Sequence, residues 1–105
     1  MTTDGLDVVV IGGGPAGYVA ALRASQLGGK VALVERENVG GTCLNRGCIP
    51  TKALISSVEV LSTVRSAARF GVKVEGVSLD FAEMQARKGR VVSQLVKGVE
   101  YLLNR

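Results

Sequence analysis

The stretch that most limits what this chain can become is "DVVVIGGGPAGYVAALRASQLGGKVALVE", residues 7–35. It opens on a β-branched run, "DVVVI" (7–11), as expected of a strand buried on both faces of a parallel sheet. "GGGPAG" (12–17) follows at once, and "PAGYVAALRASQLG" (15–28) predicts a helix. Pro15 suits the first turn, where its missing N–H costs nothing. Alanines let the helix pack closely on a sheet, and Gly28 with Gly29 ends it. "KVALVE" (30–35) reads as a second buried strand that closes on an acid. The fold class is therefore α/β, built on a Rossmann-like βαβ unit of a parallel sheet.

Glycines cluster in turns for many reasons, so G-x-G-x-x-G alone says little. Here Gly12, Gly14 and Gly17 sit between a strand and a helix, and Glu35 closes the next strand at the expected distance of about 20 residues. Each part has a physical task. Gly12 permits the tight turn, Gly14 lets backbone approach a pyrophosphate, and Gly17 allows close helix–strand contact. The helix start offers free N–H groups and partial positive charge to phosphates. Glu35 can accept hydrogen bonds from a ribose diol and would repel a 2′-phosphate. The motif marks a dinucleotide site but does not choose between NAD and FAD, which share the adenosine half it binds.

Composition narrows the remaining classes. With 105 residues the chain has room for one small domain. Its net charge of +4 is scattered, and the densest basic cluster, Arg87, Lys88 and Arg90, reads as a solvated helix face. Only four aromatics are present, too few to stack bases among basic residues, so no nucleic-acid partner is expected. The start, "MTTDGLDVVVIGGG", lacks the pattern of a signal peptide, and no apolar run approaches the roughly 20 residues of a membrane span. A reducing cytoplasm and no membrane association are the expectation. There, a cysteine pair is catalytic or metal-binding more often than structural. Zinc usually takes four Cys or His ligands, and this chain has two cysteines and no histidine, so no metal is expected.

Both cysteines fall in "GGTCLNRGCIPTKAL", residues 40–54. A helix is expected to begin near Thr42, capped by its hydroxyl and the preceding glycines. Residues five apart in a regular helix have Cα atoms about 8.6 Å apart, whereas a disulfide needs less than about 7 Å. A Cys43–Cys48 bridge therefore requires a distorted turn, and Gly47 and Pro50 supply irregularities there. Such a short loop restricts the unfolded chain little, so a bridge that opens and closes is the more plausible use. Cys43, near the helix start, is expected to have a depressed thiol pKa. The alternative is two reduced cysteines packed as small apolar residues. A dithiol passing two electrons to a nicotinamide calls for an intermediary, and flavin is one, which favours FAD on the Gly12–Glu35 unit.

"VVVIGGGPAGYVAALRASQLG…VALVE" followed by "GGTCLNRGCIPTKAL" resembles the amino-terminal end of the FAD-dependent pyridine nucleotide–disulfide oxidoreductases. The resemblance covers nearly the whole chain. "CLNRGCIPTKAL" is most similar to the branch acting on dihydrolipoamide, whereas glutathione and mercuric reductases more often carry valines beside the cysteines. The resemblance implies that Gly12, Gly14 and Gly17 contact the FAD pyrophosphate and that Glu35 binds the adenosine ribose. It implies that Gly41 and Thr42 line the phosphate side of the flavin and that Lys52 lies near its reactive edge. Cys43 would be the interchange thiol and Cys48 the thiol facing the flavin. The implied reaction oxidises dihydrolipoamide on lipoyl domains of 2-oxo acid dehydrogenase or glycine cleavage systems, with NAD as co-substrate. Asn45 and Arg46 are assigned no chemistry.

Full-length relatives are several times longer and are homodimers. They add NAD and interface domains, and a histidine base that reaches across the dimer. This chain has neither a histidine nor a second G-x-G-x-x-G. Residues 1–105 thus read as the amino-terminal part of an FAD-binding domain, incomplete at the carboxy terminus and inactive alone. A non-catalytic FAD-binding fragment, or a reductase of the glutathione or mercuric type, is the alternative. Beyond the cysteines, "KALISSVEVLSTVRSAARF" (52–70) sets Leu54, Val58, Leu61, Val64 and Ala68 on one helical stripe. Residues 72–79 read as strand-like or irregular. Asp80 with Glu83 resembles a capping box for a helix from about Phe81, with Met84, Val91, Val92, Leu95, Val99 and Leu102 on its buried face.

Overall fold

A computed structural model describes residues 5–105. Met1–Asp4, part of the stretch from which the expectation about a leader was drawn, lies outside them. Strand β1 (Val8–Ile11), helix α1 (Pro15–Gln26) and strand β2 (Val31–Val34) form the expected unit. The strands are parallel, with Val8 opposite Val31 and Ile11 opposite Val34. Pro15 is the first helical residue. The helix stops where Gly28 turns left-handed at φ 91°. There Gly28 N–H donates to Ser25 O and Gly29 N–H to Ala24 O, which satisfies the last carbonyls.

Burial on both faces of the strands is not observed. Helix α1 packs on the pair, but Val8, Val9 and Ile11 stay exposed, Ile11 at 87%. Two strands under one helix leave a face and both edges uncovered among the described residues.

Helix α2 (Gly41–Arg46) and helix α3 (Cys48–Ser66) follow, and α3 tightens into a 3₁₀ turn at Ala67–Phe70. The helix expected to begin near Thr42 is thus two helices, and the long one begins at Cys48. Residues 72–80 are irregular. Helix α4 (Phe81–Leu103) starts where Asp80 Oδ1 accepts the Glu83 N–H at 2.9 Å. Only that half of the capping box forms, because the Glu83 carboxylate turns to Arg90 instead.

Helix α4 returns along α3 towards the sheet. Near its start, Arg87 Nη1 donates to Ala53 O at 3.0 Å. Near its end, Leu102 and Leu103 share a cavity with Ala21 of α1 and Leu33 of β2. Arg87 is therefore a cross-helix contact, more than a solvated charge. The small core of Ala21, Leu44, Ala53 and Val99 draws one residue from each helix. The long axis of 67 Å, against 25 and 19 Å, is consistent with α3 and α4 extending away from the sheet. Among the described residues, no helix is long and apolar enough to cross a membrane.

Candidate functional site

The site begins at the turn after β1. Gly12 sits at φ 106°, a conformation side-chain-bearing residues rarely adopt. A Cβ on Gly17 would lie 1.8 Å from Gly12 O, so helix and strand meet backbone to backbone, as their spacing predicts. Helix α1 has no capping side chain and Pro15 has no N–H. The first-turn amides of Ala16 and Gly17 therefore have no helical acceptor.

Two glycine segments then meet. Gly40 and Gly41 are both left-handed, at φ 98° and 59°. Gly40 N–H donates to Gly13 O at 2.7 Å. A Cβ on Gly41 would come within 2.7 Å of Gly14 Cα. The start of α2, with Gly41 and Thr42, is thus pressed against the turn before α1. Space stays open on the Cβ side of Gly12.

Glu35 follows β2 and is half-buried. Its Oε2 accepts the Gly13 N–H at 2.7 Å and its Oε1 the Glu37 N–H at 3.0 Å. Those backbone donors, Glu37 first and then Gly13, hold its carboxyl below the ordinary value. Each oxygen keeps a lone pair for a further donor. A cavity of about 240 Å³ opens beside it, lined by Glu37, Gly41, Thr42, Asn45 and Arg46 among others.

The cysteines flank a break between helices. Helix α2 ends at Arg46, Gly47 leaves helical geometry at φ −128° and ψ −106°, and α3 restarts with Cys48. Gly47 is the whole of the distortion. Pro50 is the third residue of α3, where no helical N–H bond is due, and Thr51 N–H makes the first one to Gly47 O. The expectation that Pro50 removes a helix bond is corrected accordingly.

Both cysteines are free thiols in this structure, with Cys43 half-buried and Cys48 exposed. The expected depression of the Cys43 pKa is also corrected. Hydrogen bonding with the Cys48 thiol raises it first, followed by burial and the Cys48 charge. The Cys48 backbone and the Lys52 charge pull the other way and do not prevail. A six-residue helix has little dipole to set against a partner thiol in contact. Lys52, one turn beyond Cys48 on α3, is exposed and near enough for its charge to act on Cys43.

Two residues without a sequence-based role join this assembly. Asn45 Nδ2 donates to Gly41 O at 2.9 Å and to Val39 O at 3.2 Å. Arg46 reaches Glu37 Oε2 at 2.7 Å. Asparagine is a poor helix former because its amide competes for backbone, and its place inside a short helix was the available signal.

Comparison with known proteins covers this whole assembly. The family model described as pyridine nucleotide-disulphide oxidoreductase matches residues 6–105. The chain is 57% identical over 99 residues to a dihydrolipoyl dehydrogenase of Bacillus subtilis (strain 168), spanning 94% of this chain and 21% of that one. It is 51% identical over 100 residues to a dihydrolipoyl dehydrogenase of Acholeplasma laidlawii, spanning 94% of this chain and 30% of the relative. Among solved structures it resembles the HOCl-induced flavoprotein disulfide reductase RclA from Escherichia coli, determined as a Cu(II) complex. That likeness has a TM-score of 0.72 at 33% identity, over 93% of this chain and 19% of the other. The chain thus spans about a fifth to a third of the length of these proteins. Taking in the glycine turn, Glu35 and both cysteines in one continuous match, it belongs to the pyridine nucleotide-disulphide oxidoreductase family.

Proposed function

We propose that these residues are the amino-terminal part of the FAD-binding domain of a dihydrolipoyl dehydrogenase, which oxidises dihydrolipoamide to lipoamide and reduces NAD⁺ to NADH. The observation that carries the reading is the break at Gly47, which ends the short helix bearing Cys43 and starts the next one on Cys48, beside the joined glycine turns. The residues present fit FAD. Gly12, Gly14 and Gly17 would take the pyrophosphate, where open space and unclaimed amides coincide. Gly41 and Thr42 would line the phosphate side of the flavin, and Glu35, held ionised, would accept the ribose hydroxyls. When bound, FAD supplies a two-electron acceptor that relays a hydride to NAD⁺.

The work of the chain itself is disulfide exchange. A substrate thiolate attacks Cys43 Sγ of the oxidised pair, breaks the Cys43–Cys48 bond and leaves a thiolate on Cys48. The second substrate sulfur then attacks its own partner in the mixed disulfide, releasing lipoamide and the Cys43 thiolate. Two electrons have passed to the pair. The Lys52 charge favours the thiolate form of Cys43 against the effect of its neighbour. Lipoyl domains of 2-oxo acid dehydrogenase or glycine cleavage systems are the proposed partners, and a homodimer the proposed assembly. The identities of 57% and 51% to dihydrolipoyl dehydrogenases, against 33% to RclA, favour this substrate over another disulfide.

The test uses the full-length protein that carries this sequence. Cys43→Ser and Cys48→Ser should each lower NADH formation from dihydrolipoamide by about a thousandfold or more. On two-electron reduction, Cys43→Ser should keep the long-wavelength absorption of a Cys48 thiolate on flavin, and Cys48→Ser should lose it. The opposite pattern would exchange the two roles. Faster NADPH-driven reduction of glutathione disulfide or mercuric ion would reassign the substrate.

A further inference from the structure

The redox reading of Cys43 and Cys48 leaves open what keeps the two sulfurs together when no covalent bond does. Asn45 lies between them in the chain and is half-buried. Its Nδ2 directs both hydrogens at backbone, to Gly41 O at 2.9 Å and Val39 O at 3.2 Å. Those acceptors bracket Gly40, so the amide spans the left-handed pair Gly40–Gly41. Two successive glycines are pliant backbone. A six-residue helix is too short to keep its shape by its own ladder. The neighbouring Arg46–Glu37 pair is exposed and contributes little rigidity.

We propose that Asn45 is a positioning residue for the redox pair, its side-chain amide fixing Val39 and Gly41 so that Cys43 stays against Cys48 in the dithiol form. This rests on the function proposed above. The disulfide is closed by its own bond and does not need the bracket, whereas the dithiol does. Without the bracket the thiols separate, the dithiol gains conformational freedom, and the effective concentration of one sulfur at the other falls. The affected equilibrium is Cys43–SH + Cys48–SH + RSSR ⇌ Cys43–S–S–Cys48 + 2 RSH, in which an external disulfide is the oxidant.

That equilibrium would be measured on the full-length holoenzyme in glutathione buffers of fixed ratio, by alkylation quench and mass analysis. Asn45→Ala should lower the constant about tenfold, a shift of about 30 mV. Asn45→Asp provides a second readout. As a carboxylate it has no donor and faces two carbonyl oxygens, so it should match the alanine variant. Once protonated, with a pKa raised by those oxygens, it regains one donor and should recover towards wild type as pH falls. Its ratio to wild type should therefore depend on pH, which general destabilisation would not produce. Asn104→Ala removes the same kind of amide-to-carbonyl bond, to Glu100 O at the end of α4, and should leave the constant unchanged. An unchanged constant in Asn45→Ala, an equal shift in Asn104→Ala, or a pH-independent Asn45→Asp ratio would overturn the proposal. A wild-type pair that forms no disulfide at any buffer ratio would overturn the redox reading and the proposal with it.

Discussion

Gly17 has no room for a methyl group. Its Cβ would fall 1.8 Å from Gly12 O, a backbone atom that cannot rotate away, so Gly17→Ala must push α1 off the strand. A loss of about 3 kcal/mol is expected in urea unfolding of the full-length protein, at the upper end of overpacking costs. Gly71 gives the contrast. It is left-handed at φ 78° with open space around it, so Gly71→Ala should cost only the conformational term, about 1 kcal/mol. Equal effects would mean that α1 shifts to admit the methyl group at little cost, because Gly17 is helical and has no left-handed strain of its own. Glu35 adds a pH dependence. Its folded pKa lies below the ordinary 4.5, so its contribution is fully present above that value and is lost as pH falls through the folded pKa. Titrating wild type against Glu35→Gln from about pH 6 downward should show the difference shrinking in that window. A difference that grows with acid would mean that the carboxyl is not held ionised.

Between elements, the decisive joint is the one between α2 and α3. Because Pro50 sits where helix α3 needs no N–H, Pro50→Ala should change stability by less than about 1 kcal/mol, chiefly through the unfolded chain. A gain of about 3 kcal/mol, as from relieving an interior proline, would put the distortion back at Pro50. The same joint shows how far sequence reasoning reaches. The β1–α1–β2 unit was readable because the unbroken apolar runs, the N1 proline, the C-terminal glycines and the distance to Glu35 all agree. Gly47 and Pro50 were both visible as irregular, but which of them breaks the helix depends on where α3 starts. That start lies at Cys48, ahead of Leu54, the first residue of the apolar stripe that could announce it. The Cys43 thiol pKa was misjudged for a related reason, since the pairing with Cys48 was legible but not that the partner thiol outweighs helix position. The bonds of Asn45, Glu83 and Arg87 are choices among nearby partners, and residue order alone does not rank them.

At the scale of the whole molecule, these 105 residues enclose little. The radius of gyration is 20.0 Å, whereas a compact chain of about 100 residues has about 13 Å. The accessible surface is 7777 Å², against about 5,600 Å² for a compact monomer of this mass. Much of the excess is apolar. It includes Ile11 at the end of β1 and Phe70 beyond the end of α3, exposed at 87% and 80%. Four buried apolar side chains among the described residues, two of them alanines, cannot offset the ordering of four helices and two strands. Both open strand edges also offer unpaired backbone to other chains. The 105 residues expressed alone should therefore give a broad, weakly cooperative calorimetric transition and concentration-dependent scattering. FAD should narrow that transition if the turn and Glu35 already bind the nucleotide, because a ligand held only by the folded state stabilises it. A sharp transition in a monodisperse monomer without FAD would show that the joint of Ala21, Leu44, Ala53 and Val99 is a sufficient core, and that the exposed apolar surface is tolerated rather than awaiting cover.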